Sequence, residues 1–190
     1  MTEEIIIAGF GGQGVLSVGK ILAYSGIMKG MEVSWMPSYG PEMRGGTANV
    51  TVILSDERIS SPILNEFDTA IILNQQSLDK FESHIKKGGI LLYDNNGITR
   101  HPSRSDISIY VVEAAEEATR MAAAKTFNMI VLGAFLKLKP IVELDHVIKG
   151  LEKSLPQRHH HTIPMNRDGI LRGMEIVKPY EFTEKVGNPV

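Results

Sequence analysis

Short runs of aliphatic and β-branched residues, separated by polar or glycine-rich stretches, recur through the first part of the chain. Runs of this length are typical of buried strands. The predicted strands are Ile5–Ala8, Glu32–Met36, Thr47–Leu54, Thr69–Leu73, Ile90–Tyr93 and Ser108–Val112. The third run follows the second without room for a crossover helix, so the predicted sheet is mostly parallel or mixed.

Helices are predicted where apolar residues recur every three or four positions. Val15–Met28 has such a face and ends at Gly30, and Ser77–Ile85 is followed by Lys-Lys-Gly at 86–88, a typical C-terminal signature. Three more apolar faces lie within 114–155, and a last helix is predicted after Asn166. Strands that alternate with helices predict an α/β fold with helices on both faces of the sheet.

The length of the chain limits the number of domains, and its net charge limits the kinds of partner. A length of 190 residues is typical of a single domain, which we expect over residues 1–178. Residues 179–190 show no periodicity and are expected to form a mobile tail. The net charge of −2 argues against a nucleic-acid or polybasic membrane partner. The acidic start is unlike a signal peptide, and no apolar stretch is long enough to span a bilayer, so we expect a cytoplasmic protein.

A glycine-rich loop follows the first predicted strand and opens the first predicted helix. Gly9, Gly11 and Gly14 give the spacing G-x-G-x-x-G, and free backbone N–H groups with a helix dipole favour an anion there. The candidate cofactor-binding residues are Gly11, Gly12, Gln13 and Gly14. No acidic residue ends the second strand, so we expect no tight binding of NAD or NADP. The alternative is a purely structural turn.

A second glycine cluster, Pro37–Gly46, is a stiff loop with two prolines and three glycines. If the second strand runs parallel to the first, this loop emerges beside the glycine-rich loop, at the ligand edge of an α/β sheet. A forked guanidinium followed by two glycines suits a phosphate or a carboxylate. The candidate residues are Ser38, Glu42, Arg44, Gly45 and Gly46. The alternative is a solvent loop with a surface ion pair.

Other polar residues predict neither a catalytic set nor a metal site in this chain. With no cysteine, the chain has no thiol nucleophile and cannot hold a cysteine-ligated zinc or iron–sulfur cluster. The His159–His161 run has no evident third ligand, so a solvated or subunit-facing segment is favoured over a metal site. Adjacent Glu116 and Glu117 favour a solvated helix face. Asp94, before Asn-Asn-Gly, favours a turn over a role at the ligand edge.

The two glycine clusters together carry a family resemblance. Ile-Ile-Ile-Ala-Gly-Phe-Gly-Gly-Gln-Gly-Val-Leu at 5–16 and Pro-Ser-Tyr-Gly-Pro-Glu-Met-Arg-Gly-Gly-Thr-Ala at 37–48 resemble the gamma subunit of 2-oxoacid:ferredoxin (acceptor) oxidoreductases. The likeness extends over about residues 4–178. The stretch 153–161 and the helix after Asn166 look most like the 2-oxoglutarate and ketoisovalerate members.

The resemblance implies a holoenzyme that oxidatively decarboxylates a 2-oxoacid, joins the acyl group to coenzyme A and passes electrons through iron–sulfur clusters to ferredoxin. In this family thiamine diphosphate, Mg and the clusters belong to other subunits, namely thiamine-binding alpha and beta and a ferredoxin-like delta. We therefore expect an accessory subunit that binds no cofactor alone and is inactive alone. A stand-alone nucleotide- or phosphate-binding α/β protein, or a scaffold without a ligand, is the alternative.

Overall fold

Seven strands form one mixed sheet within residues 1–38 and 47–181, the part of the chain that the computed structural model describes. The strands are β1 (Thr2–Phe10), β2 (Glu32–Ser38), β3 (Thr47–Ser55), β4 (Phe67–Ile72), β5 (Ile85–Asp94), β6 (Ser108–Val112) and β7 (Lys178–Pro179). Their order across the sheet is β2-β3-β1-β4-β5-β6-β7. β1, β4, β5 and β6 are parallel, whereas β3 is antiparallel to both neighbours and β7 to β6. The predicted mixed α/β sheet is confirmed.

Helices cover the two faces of the sheet unequally. They are α1 (Val15–Lys29), α2 (Gln75–Phe81), α3 (Ala114–Arg120), α4 (Phe127–Leu138), α5 (Leu144–Ser154) and α6 (Ile163–Ile176). One face, here called the thick face, packs α1, α3, α4, α5 and α6 into one apolar core. The other, the thin face, is covered by α2 and the irregular segment 95–107, over a smaller core.

The thick face depends on a backbone contact between two helices. A Cβ atom added to Gly133 of α4 would overlap the carbonyl oxygen of Ile170 in α6, and one added to Gly173 would overlap that of Ile130. Only glycine allows these two helices to approach so closely. Within α4, all residues from Met129 to Leu136 are buried.

The strand directions place the glycine-rich loop and the two residues that flank the second cluster at one edge. β3 pairs antiparallel with β1 through Phe10↔Thr47 and with β2 through Ser38↔Asn49. β2 therefore runs in the same direction as β1, as the placement of the second loop required, although β3 lies between them. Ser38 and Thr47, which flank the second loop, share the edge at which β1 ends.

The same edge contains a topological switch point. β1 leads into α1 on the thick face, and its parallel neighbour β4 leads into α2 on the thin face. Where helices after adjacent parallel strands diverge to opposite faces, a crevice opens beyond the strand ends. The β1–α1 connection borders this crevice.

The helix predicted at Ser77–Ile85 changes character before its end. α2 ends at Phe81, a 3-10 turn continues over Glu82–His84, and β5 begins at Ile85, before the Lys-Lys-Gly sequence. Lys86 lies in β5 because its ammonium Nζ contacts Glu4 Oε2 at 2.5 Å and Asp68 Oδ1 at 2.8 Å on neighbouring strands. A sequence typical of a helix end is here part of a cross-strand ion pair.

The C-terminal part departs from the prediction in two places. α6 begins at Ile163, before Asn166, and is preceded by a 3-10 segment, Gln157–Thr162, that contains the three histidines. Residue 179, where a tail was expected to begin, lies in β7, and the Tyr180 N–H donates to the Ile109 carbonyl at 2.9 Å. The domain boundary at 178 remains a prediction.

Candidate functional site

The connection between β1 and α1 has a backbone that favours glycine. Gly12 and Gly14 have φ angles of 97° and 77°, in the left-handed region. Gly14 is the N-cap of α1, and neither a side-chain hydrogen bond nor an acidic residue occupies the first turn. The positive end of the helix dipole therefore faces the crevice without a neutralising group from the described residues, which is favourable for an anion.

The Gln13 side chain fixes this loop in place. Its Oε1 accepts a hydrogen bond from the Phe10 N–H at 2.6 Å, and its Nε2 donates to the Leu73 carbonyl at 3.1 Å. Gln13 thereby ties the loop to the ends of β1 and β4, on both sides of the switch point. Its amide is engaged by the protein itself, and its part in a ligand site is to position the neighbouring glycines.

Two cavities flank the glycine-rich loop. A cavity of about 460 Å³ is lined by Gly12, Gln13, Gly14, Asn96, Lys125 and Asn128, among others. A cavity of about 320 Å³ lies across the start of α1, where Gly11 and Ser17 face Ala48 of β3. Lys125 is exposed and makes no ion pair with any residue in 1–38 or 47–181. The loop thus offers backbone N–H groups and one free ammonium to a phosphate or carboxylate.

The predicted residues of the second cluster are only partly described. Ser38 ends β2, is exposed, and lies at the same edge as Gly11–Gly14. Glu42, Arg44, Gly45 and Gly46 lie outside the described residues. The structure therefore brings the two flanks of the second loop to the crevice, and the role of the loop itself remains a prediction.

Asp94 is the last residue of β5, directly before a turn at 95–97 as its sequence predicts, and it is only 1% exposed. Its Oδ1 accepts hydrogen bonds from the Ala114 and Ala115 N–H groups at 2.9 and 3.3 Å, at the start of α3. Burial raises the pKa of the Asp94 carboxyl to about 6, although hydrogen bonds from backbone N–H groups oppose the rise. A carboxylate at the end of a predicted buried strand could have indicated a buried position for this residue. The turn sequence that follows it favoured an exposed position instead.

Glu116 and Glu117 differ, although both were expected on a solvated face. Glu116 is exposed and pairs with Arg120. Glu117 is buried and accepts from Arg172 Nε at 2.8 Å and Arg120 Nη1 at 2.5 Å. The hydrogen bond from Arg172 lowers the pKa of the Glu117 carboxyl. The expectation is therefore wrong for Glu117, which joins α3 to α6 as a structural ion-pair residue.

Neither a metal centre nor a membrane span emerges from the described ranges. Within residues 1–38 and 47–181, no group of three or more His, Asp or Glu side chains is placed to hold a metal ion. The rings of His159 and His161 lie 6.4 Å apart on the exposed 3-10 segment. None of the helices in those ranges is both long and apolar enough to cross a bilayer.

Comparisons with known proteins agree with this architecture. Residues 4–176 match the family model of pyruvate ferredoxin/flavodoxin oxidoreductase. The 2-oxoglutarate synthase subunit KorC of Methanocaldococcus jannaschii is 33% identical over 184 residues, which cover 94% of this chain and 95% of KorC. The ketoisovalerate oxidoreductase subunit VorA of Methanothermobacter thermautotrophicus is 43% identical over 135 residues. That match covers 71% of this chain but 28% of VorA, so the chain spans less than a third of that relative.

A solved structure shows the same fold. The keto/oxoacid ferredoxin oxidoreductase gamma subunit from Geobacter sulfurreducens PCA superposes with a TM-score of 0.79 at 28% identity, covering 93% of this chain and 96% of that one. The resemblance carried by the two glycine clusters is confirmed. This chain belongs to the pyruvate ferredoxin/flavodoxin oxidoreductase family.

Proposed function

We propose that this chain is the gamma subunit of a multi-subunit 2-oxoacid:ferredoxin oxidoreductase. The observation that carries the proposal is the match to KorC, a subunit of 2-oxoglutarate synthase, over 95% of its length. The same domain also matches 28% of the longer VorA chain. The relatives favour 2-oxoglutarate or ketoisovalerate as the class of substrate.

The chain's part in the reaction is accessory. Without cysteine it cannot ligate the iron–sulfur clusters that carry electrons to ferredoxin. The described residues present no group able to hold Mg. The resemblance to the gamma subunits assigns thiamine diphosphate, the metal and the clusters to the alpha, beta and delta subunits, where decarboxylation and electron transfer take place. This chain supplies a shaped edge against which those subunits and coenzyme A are held.

The edge that we assign to this role carries the glycine-rich loop and the described flanks of the second cluster, Ser38 and Thr47. The first turn of α1 has no side-chain cap and no acidic residue, and Lys125 makes no ion pair within the described residues. Both features suit the phosphates of coenzyme A. Gly14 is required there because its φ is 77° and an added Cβ would lie 2.6 Å from Asn128 Nδ2. Arg44, in the stiff second loop, adds a forked cation. The loop is expected to contact coenzyme A or the neighbouring subunit.

The first test compares the chain alone with the assembled enzyme. With thiamine diphosphate, coenzyme A, a 2-oxoacid and an electron acceptor, the purified chain is expected to show no turnover. Activity should appear when the other subunits are added, and those subunits should co-purify with the tagged chain, as their masses will show. Turnover by the chain alone, or a micromolar dissociation constant for NAD by calorimetry, equivalent to about −8 kcal/mol, would favour the stand-alone alternative.

The second test concerns the second loop. Arg44→Ala should weaken assembly or raise the holoenzyme's KM for coenzyme A. A desolvated contact of this kind is worth about 2 kcal/mol, roughly thirty-fold in the measured constant. The matched control is Arg58→Ala, which removes an exposed arginine that makes no ion pair in the described ranges. Both variants should unfold within about 0.5 kcal/mol of the wild type. If assembly and KM are both unchanged, the loop only connects β2 to β3 and has no binding role.

A further inference from the structure

A second cavity at the same edge has an acidic lining. It measures about 440 Å³, and we call it the Asp94 cavity; it is lined by Asp94, Asn95, Asn96, Glu113, Ala115, Glu116 and Thr119. Asn96, Ala115 and Thr119 also line the 460 Å³ cavity beside the glycine-rich loop, so the two cavities are adjacent. The Asp94 cavity therefore belongs to the edge that faces the proposed partners.

Asp94 is incompletely satisfied in this cavity. The carboxyl is 1% exposed, and its Oδ1 accepts the two N–H groups at the start of α3. Its Oδ2 is buried and accepts no hydrogen bond of normal geometry from the described residues, although the backbone N–H of Asn96 lies near enough to favour the charged carboxylate. Buried carboxylate oxygens are normally paired, and an unpaired one indicates a donor supplied from outside the described structure.

The charges around the cavity select the kind of donor. Asp94, Glu113 and Glu116 all line it, and no lysine or arginine does. Two of these carboxylates have a basic partner outside the lining, since Lys178 Nζ contacts Glu113 Oε1 at 2.9 Å and Arg120 Nη2 contacts Glu116 Oε1 at 2.7 Å. An anion is disfavoured in this field, and a positively charged donor is favoured. The three carboxylates do not converge into a metal-binding group.

We propose that the Asp94 cavity receives a lysine or arginine side chain from a neighbouring subunit of the oxidoreductase, whose ammonium or guanidinium group donates to Asp94 Oδ2. The proposal rests on the proposed function, because it requires partner subunits at this edge. It adds a buried charge contact to a surface that otherwise offers glycine N–H groups and Lys125 to anions. At this edge, one cavity would then bind anionic groups and the adjacent Asp94 cavity would bind a cationic group.

The central experiment measures assembly of the full-length chain with its partner subunits. Asp94→Asn keeps one oxygen for the α3 N–H groups but replaces Oδ2 by an amide donor, which opposes an incoming cation. Its dissociation constant for the partner subunits should rise at least ten-fold. The control is Asp106→Asn, which removes an exposed carboxylate paired with Arg104 just before β6, at the opposite edge of the sheet. That variant should assemble like the wild type.

A second variant leaves Asp94 in place. Thr119→Lys introduces an ammonium from the chain itself at the exposed wall shared by the two cavities, and should compete with the partner's cation. The expected result is again at least a ten-fold weaker assembly, with a melting temperature close to that of the wild type. Wild-type assembly by Thr119→Lys would overturn the inference, even if Asp94→Asn fails to fold. Failure of the wild-type chain to assemble at all would overturn the proposed function, and the inference with it.

Discussion

The two faces of the sheet are built in different ways. On the thick face, α4 and α6 meet backbone to backbone at Gly133 and Gly173, and a continuous apolar core lies beneath them. The thin face has the seven-residue α2 and the irregular segment 95–107, which is held by polar contacts. An irregular segment cannot satisfy its own N–H groups as a helix does. The thin face is therefore held on the sheet by specific hydrogen bonds, whereas the thick face is held by close packing of helices.

The two faces also differ in the pKa shifts of their buried carboxyl groups, which can be measured. On the thin face, Glu82 accepts from the Ser103 N–H at 2.5 Å and from Arg100 Nη2 at 3.0 Å. Burial pushes the pKa of Glu82 upward, but hydrogen bonds from Ser103, Arg100 and Arg104 outweigh it and hold the pKa below its ordinary value. Asp94, beside α3 on the thick face, accepts backbone N–H groups but has no cation, and its pKa is raised. The pKa values differ because Asp94 is more deeply buried and because Glu82 has a guanidinium beside it.

The largest effect is expected from Gly173→Ala on the thick face. The new Cβ would overlap the Ile130 carbonyl, so α4 and α6 must separate, which should cost more than about 3 kcal/mol of unfolding free energy in urea titration. Gly169→Ala, in the same helix, is the matched control. There the nearest atom is Thr126 Cβ at 3.2 Å, and the gain in helix propensity of about 1 kcal/mol should offset the crowding. Equal losses in the two variants would refute the backbone contact.

The next effect concerns pH and Asp94. A carboxyl whose pKa rises from 3.8 unfolded to about 6 folded is more easily charged in the unfolded chain, so its ionisation destabilises the fold. Wild-type stability relative to Asp94→Asn should therefore fall as the pH rises from about 4 to about 6, by up to about 3 kcal/mol. Denaturant titrations of both proteins at several pH values measure this difference. A flat difference would mean that Asp94 is not desolvated.

The smallest effect is expected from Glu82→Ala on the thin face. Its loss leaves the N–H groups of 103 and 104 without their acceptor and should cost about 2 kcal/mol at neutral pH. Because the pKa of Glu82 is lowered, the difference from the wild type should shrink as the pH falls through that pKa, the reverse of Asp94. Asp79→Ala, which removes the exposed partner of Arg100, should cost no more than about 0.5 kcal/mol. If both cost the same, the thin face does not depend on Glu82.

The sequence predicts most of the sheet because its buried strands carry their own signal. Ser108–Val112 and the helix from Val15 are found where periodicity places them. The errors occur where a distant residue decides the outcome. Lys86 belongs to a strand because of Glu4 and Asp68, and Glu117 is buried because of Arg172, which is 55 residues away. No local pattern carries that information.

The candidate site is predictable only in part, for the same reason. Gly11–Gly14 is visible as a motif, since the strand and the helix beside it can be recognised locally. The Asp94 cavity is not, because α3 and the end of β5 are joined only in the folded chain, by the hydrogen bonds of Asp94 to Ala114 and Ala115. The charge around that cavity could be inferred only once the topology was known.

The close approach of α4 and α6 also has a consequence during synthesis. Residues Met129–Leu136 are buried, but α6, which covers α4 at Gly133, begins only at Ile163. While the chain emerges from the ribosome, this apolar helix therefore leaves the exit tunnel before its cover does. Exposed apolar surface of this kind favours aggregation or chaperone binding. A chain truncated before α6 should be insoluble, although it contains the whole sheet except β7.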